Sequence, residues 1–183
     1  GIAIKGSTTN FVGSMLISND GGTGTLNAAS NNTGFGHEVF DDLTSGDDNT
    51  AVGYQAGTKI LGGTANTIIG KSAGAAITSG EYNVALGSRA LEANTTANSN
   101  TAIGTYALLV NETGANNTAV GNDTLDSCTS GSNNTAIGVD ALQAVTDSTN
   151  NVGVGYLAGS GITTGGRNTC LGEGSGIAGS PSG

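Results

Sequence analysis

Few residues in this chain have types suited to chemistry, and their spacing does not bring them together. One histidine, His37, stands beside Glu38. An imidazole next to a carboxylate is the pairing that proton transfer and metal binding both use. The slot His37 occupies is filled further along by Tyr54, Lys71, Ser88, Thr105 and Asn122, which marks a variable, exposed position. The stretch DDLTSGDD, Asp41 to Asp48, offers carboxylates that could ligate calcium, an ion that takes roughly six to eight oxygens. Its spacing matches no compact calcium loop, and solvated turns are the simpler reading. GGTGTL at 21 to 26 is close to a calcium-binding nonapeptide but occurs once and lacks the aspartate. No Gly-x-Ser-x-Gly elbow, phosphate-cradling loop or Cys/His zinc spacing is present. Asn-x-Thr triplets at Asn94, Asn111, Asn116, Asn122 and Asn133 follow from a chain rich in both residues. No catalytic residue, metal ligand or cofactor is expected.

What the chain does carry is a ruler. Glycine stands at Gly36, Gly53, Gly70, Gly87, Gly104, Gly121, Gly138, Gly155 and Gly172, each 17 residues after the last. Four residues before each is an asparagine: Asn32, Asn49, Asn66, Asn83, Asn100, Asn117, Asn134, Asn151 and Asn168. Before each glycine comes a large apolar residue, from Phe35 and Val52 to Val154 and Leu171, and before that a small or apolar one such as Ala51, Ala119 or Cys170. The unit reads Asn-Thr-Ala-Ile/Val-Gly-x-x-Ala-Leu/Gly, then a Thr/Ser-rich stretch closed by a second glycine.

A period near 17 is too short for helix pairs, and Gly, Asn, Thr and β-branched residues are poor helix formers. The expected fold is therefore all-β: a parallel β-solenoid, or β-roll, of nine 17-residue turns spanning 31–179. Identical strands would stack about 4.8 Å apart, giving a rod of roughly 40 Å. Stacking explains the constant phases: asparagine on asparagine makes an amide ladder, and glycine permits a left-handed backbone or a close approach. Residues 1–30 lie outside the register and read as a capping strand or a degenerate repeat with Gly13 in the glycine slot. Residues 180–183 read as a tail or a continuation. With Gly1 at one end and GSPSG at the other, the chain reads as part of a longer protein or a processed product.

Composition bounds the partners. With 33 glycines and 4% aromatic residues, the chain suits a thin aliphatic core more than a globular one. A net charge of −9 with five Lys plus Arg disfavours nucleic acid, whose phosphates need clustered cations. No apolar run is long enough for a membrane span. Cys128 and Cys170 stand at different phases of the repeat, so two free buried thiols are expected.

Successive strand side chains point to opposite faces, so Ala119 and Val120 cannot both face the coil interior, yet both are apolar. A strand apolar on both sides is covered on both. The small residues are the expected contact row, bringing identical coils close in a parallel homotrimer. A second array, Thr44-Ser45, Thr78-Ser79, Thr95-Thr96, Thr129-Ser130 and Thr163-Thr164, would stack as a hydroxyl ladder of the kind ice-binding solenoids present, interrupted at Leu61-Gly62, Glu112 and Asp147.

The phrases NNTAVGNDTL, NNTAIGVDAL, NTAVGYQAG and NTAIGTYAL, with TSGSNN and TGANN connectors, resemble repeat regions of tail-fibre proteins of bacteriophages, especially cyanophages, over about residues 10–179. They are also similar to the head repeats of bacterial trimeric autotransporter adhesins, from which the 17-residue unit and the leading Asn-Thr depart. The resemblance implies a non-enzymatic structural fibre, a stiff shaft located in the virion or outside the cell. It implies a homotrimer that contacts other tail proteins and attaches to a host-surface glycan or protein. The alternatives are an adhesin head and an ice-binding solenoid.

Overall fold

The computed structural model describes residues 3–5, 11–12, 15–18 and 29–176. Its elements are β1 (Ala3–Lys5), β2 (Phe11–Val12), β3 (Met15–Ser18), β4 (Ala29–Ser30), β5 (Thr33–Phe35), β6 (Thr50–Val52), β7 (Thr67–Ile69), β8 (Val84–Leu86), β9 (Thr101–Ile103), β10 (Thr118–Val120), β11 (Thr135–Ile137), β12 (Val152–Val154) and β13 (Thr169–Leu171). There is no helix among the described residues. From β3 through β5 to β13 the strands form one parallel sheet, each paired with the next. Register follows the ruler: Thr118 faces Thr135, Ala119 faces Ala136 and Val120 faces Ile137. The protein is a β-solenoid.

Each coil contributes only one short strand. The rest of the coil is bent, but it too is bonded from coil to coil: Gln55 N–H donates to His37 O at 2.9 Å, Gly57 N–H to Ala73 O at 3.0 Å and Ala65 N–H to Asp47 O at 2.9 Å. The bends recur at fixed phases with positive φ, as at Tyr82 (58°), Arg89 (58°) and Leu91 (55°) in one coil. Non-glycine residues tolerate this left-handed region at a cost of about 1–2 kcal/mol each. The ladder glycines lie beyond it, at φ 142° for Gly121, where side chains are rarely accommodated. A Cβ there would come within 2.5 Å of the Gly138 carbonyl oxygen.

The N-terminal end departs from the expected register. β3 joins the parallel sheet with Met15 opposite Thr33 and Ile17 opposite Phe35, an offset of 18 residues. β1 pairs with β3 antiparallel, so the parallel stack ends there on a strand of opposite direction. Gly13, the expected glycine of a degenerate repeat, lies outside the described residues. So do 177–179 of the expected array and the 180–183 tail.

The interior is filled by complementary sizes. Four residues after the ladder glycine comes Leu or Gly, or Phe40 in the first coil, and in most coils the residue three further on compensates, Phe40 with Leu43 and Leu142 with Val145 being the exceptions. Gly57 and Gly74 accompany Ile60 and Ile77, whereas Leu91, Leu108 and Leu125 accompany Asn94, Asn111 and Cys128, all buried. In the first coil Phe40 takes so much space that the strand carries Gly34, where a Cβ would meet the Phe40 ring at 2.9 Å. Each fully buried Leu contributes about 1.5–3 kcal/mol.

One expectation is overturned here. The small residues Ala51, Ala85, Ala102, Ala119 and Ala136 are wholly buried inside their own coil, so they are no contact row between chains. The physical reason is volume. The residues after the glycine fill most of the interior and leave room for a methyl group opposite them, except in the third coil, where Gly57 and Gly74 make space for the buried Ile68. The outward row is the large one.

Candidate interaction surface

The asparagine ladder is built differently from a stack of amides bonding only to each other. Each side-chain oxygen accepts the backbone N–H of the next asparagine: Asn83 N–H to Asn66 Oδ1 at 3.0 Å, Asn100 N–H to Asn83 Oδ1 at 2.9 Å and Asn117 N–H to Asn100 Oδ1 at 2.9 Å. From Asn32 to Asn134 each side-chain nitrogen donates to a carbonyl 14 residues on, as Asn49 to Gly63 and Asn100 to Gly114, both at 2.8 Å. Direct amide-to-amide bonds accompany some of these, such as Asn83 Nδ2 to Asn66 Oδ1 at 3.1 Å. The ladder satisfies buried polar groups that an apolar residue would leave orphaned. Asn32 to Asn151 are fully buried, so the ladder is the frame of the coil and presents nothing to a partner.

The chemistry-bearing residues stay apart. His37 lies on the surface, its ring stacked on Tyr54 with centroids 5.3 Å apart and its Nδ1 3.5 Å from Glu38. The acidic turn is tied to the chain before it: Asp47 accepts the Ser30 N–H at 2.7 Å and Asp48 the Asn31 side chain at 3.0 Å. Among the described residues no three His, Cys, Asp or Glu side chains gather to hold a metal ion. Both cysteines are free and buried. Burial pushes the Cys128 thiol up to about 11, while its Sγ lies 3.6 Å from the Gly131 carbonyl. A cavity of about 290 Å³ is lined by Thr149, Asn150, Gly166 and Arg167. No helix of the described residues is long and apolar enough to cross a membrane.

In four of the five expected hydroxyl pairs the first hydroxyl is bound internally. Thr44 Oγ1 donates to Leu61 O at 2.7 Å, Thr78 to Thr95 O at 3.0 Å, Thr95 to Glu112 O at 3.3 Å and Thr129 to Thr146 O at 3.3 Å. These hydroxyls brace one coil against the next.

The surface that stands out is the outer side of the parallel sheet. Each strand points its first and third residues outward, a threonine or valine and a large apolar residue, with the small residue between them facing in. Phe35 is 58% exposed, Ile69 38%, Leu86 41%, Ile137 42% and Leu171 65%. Neither outward row carries a charge anywhere from Thr33 to Leu171, in a chain of net charge −9. The corners flanking this face hold tyrosines: Tyr82 just before the buried asparagine of its coil, Tyr54 and Tyr156 just after the ladder glycine.

No family model, curated protein or solved structure matches this chain.

The surface must therefore be understood from its own geometry. Of the eleven exposed large hydrophobic residues described, six (Met15, Phe35, Ile69, Leu86, Ile137, Leu171) lie on the sheet face and four (Tyr54, Tyr82, Val139, Tyr156) on its flanking corners. Only Leu61 lies elsewhere. A row of large apolar side chains roughly 40 Å long, with tyrosines at its corners, is an exposed apolar stripe of the kind that marks an interaction site. The sequence signal was legible in part. It showed that the strand is apolar on both sides, but not which row faces out.

Proposed function

We propose that this protein is a structural fibre element, a stiff non-enzymatic shaft of a phage tail fibre that works as a parallel homotrimer in the virion or outside the cell. The observation that carries this reading is the uncharged apolar sheet face running without interruption from Thr33 to Leu171. An outward apolar stripe is unfavourable in water and gains free energy when covered, about 25 cal/mol per Å². Three copies suit its width. A face of five residues, Asn to Gly, is roughly 16 Å across, and three such faces around an axis put each sheet about 5 Å from it, half the usual distance between packed sheets. Ladders of backbone and asparagine bonds resist bending, and the sides of the coil away from the sheet face remain free for other tail proteins or a host-surface glycan or protein.

The test is the solution mass and shape of residues 1–183. Three chains in a rod are expected, with Ile69→Lys/Leu86→Lys/Ile137→Lys giving folded single chains. A single-chain rod for the unaltered protein would sink the assembly. An adhesin head shares this geometry, and a membrane anchor in the full-length gene product would favour it.

A second reading has one observation in its favour. On the sheet face the hydroxyls of Thr50, Thr67, Thr101, Thr118 and Thr135 make no described protein hydrogen bond, unlike the bonded array expected from the sequence. A flat face of free hydroxyls and methyl groups is what an ice-binding solenoid would use. A single-chain rod with thermal hysteresis would favour it.

A further inference from the structure

The corners that flank the sheet face carry a charge pattern that the apolar stripe does not explain. In a cyclic arrangement of parallel chains, the corner before the asparagine of one copy lies beside the corner after the ladder glycine of the next. For each coil these are two pairs of residues, for example Glu81-Tyr82 and Ser88-Arg89 around the strand β8.

Taken coil by coil, charges of the same sign never meet. In seven of the nine coils at most one of the two corners is charged: Asp47 and Asp48 face Tyr54 and Gln55, and Lys71 faces Thr64 and Ala65. In the other two the signs are opposite. The fourth coil sets Glu81 against Arg89, and the ninth sets Arg167 against Glu173. A shift of one coil in either direction loses both pairs and leaves one matched coil in place of two: one direction sets Glu81 against Lys71 but brings Glu38 against Asp47 and Asp48, and the other sets only Asp47 and Asp48 against Lys71. With net charge −9 on each chain, such like-charge contacts would oppose association.

The side chains are free to take part. Arg89 is exposed and gives its Nε hydrogen to Glu92 at 2.6 Å, which leaves the ends of the guanidinium fork for another carboxylate. It also lies over the Tyr106 ring at 5.4 Å, held outward at the corner. Arg167 and Glu173 are both exposed.

We infer that three copies of this chain pack in parallel and in register, with Glu81 of each beside Arg89 of the next and Arg167 beside Glu173. The inference rests on the homotrimer proposed above and adds to it the register and the residues that set it. Rim charges choose the register and partner, and the apolar row between them supplies the affinity.

Cysteine cross-linking tests it. Within one chain, positions 81 and 89 lie beyond opposite ends of the five-residue face from Asn83 to Gly87, which is itself roughly 16 Å across. A disulfide needs Cα atoms within about 7 Å, so the two cannot bridge inside a single chain. Glu81→Cys/Arg89→Cys, oxidised and run on a denaturing gel without reductant, is expected to give three covalently joined chains. Either substitution alone, and the mismatched pair Glu81→Cys/Asp123→Cys, should run as single chains. Arg167→Cys/Glu173→Cys is expected to repeat the result at the far end. A solution mass of three chains with no three-chain cross-link from either matched pair would overturn the register and leave the trimer standing. A solution mass of one chain would overturn both.

Discussion

Asn117 Oδ1 accepts the backbone N–H of Asn134, its counterpart one coil later, at 2.9 Å, while Asn117 Nδ2 donates to the Gly131 carbonyl at 2.8 Å. One wholly buried side chain thus satisfies two backbone groups that have moved out of water. Replacing it with alanine orphans both. Asn117→Ala is expected to cost roughly 3 kcal/mol, since an unsatisfied buried group costs about 1–3 kcal/mol. Thermal unfolding followed by circular dichroism would measure it, and a loss under about 0.5 kcal/mol would contradict the ladder's role.

The ladder glycines should differ in their tolerance by position. At Gly121 a Cβ meets the Gly138 carbonyl oxygen at 2.5 Å and the backbone sits at φ 142°. At Gly172 a Cβ finds nothing within 4 Å, so only the strain of φ 99° remains. Gly121→Ala is expected to cost at least about 2 kcal/mol more than Gly172→Ala. Parallel denaturant melts of the two variants test the order.

The size trade in the core predicts a compensating pair. A Cβ at Gly74 would meet Ile77 Cδ1 at 2.9 Å. Gly74→Ala should be overpacked by about 1–3 kcal/mol, and combining it with Ile77→Val should restore part of that loss. The left-handed backbone adds about 1–2 kcal/mol that Ile77→Val cannot recover, a cost that Leu91 already bears at φ 55° at the same phase. Strict additivity in the double-mutant cycle would reject the coupling.

Asp126 gives a pH signature. Burial, and to a lesser degree the Asp123 carboxylate, raises its pKa above the ordinary carboxylate value, with Ser127 and Gln143 hydrogen bonds acting the other way. The folded state then holds this proton more tightly than the unfolded chain does, so its contribution falls as pH rises through the window between the two pKa values. Asp126 is half-buried and still reached by solvent screening, so the effect is modest. Asp126→Asn is expected to gain a few tenths of a kcal/mol at neutral pH, and the gain should vanish below the carboxylate range. A constant gain across that range would exclude titration as its cause.

Cys128, pushed up to about 11 and fully buried, should resist alkylation at neutral pH in the folded protein and react after denaturation. Rapid native labelling at this position would contradict the packing around it.

Legibility in the sequence followed the stacking. Asn32 to Asn168 and Gly36 to Gly172 were visible because every coil lies on a copy of itself, so a residue's neighbours are its own equivalents 17 positions away. The hydroxyl array at Thr78 and Thr95 was visible as well, but its use was not. Whether a threonine points to solvent or to the next coil's carbonyl depends on a rotamer and a backbone bend that composition does not encode. The 18-residue offset at Met15 was hidden because no glycine marks it.

By itself, then, the chain of residues determined the period, the parallel register, the phases of asparagine and glycine, and the presence of apolar residues on both sides of each strand. Alternation along a strand says only that Ala119 and Val120 face opposite ways. Which of them faces the core was decided by volume in three dimensions: the left-handed bends swing the buried side chains at Thr124, Leu125 and Cys128 into the same interior, leaving room there for a methyl group and turning Val120 outward. Only the folded coil, by filling its interior first, set the apolar row on the surface.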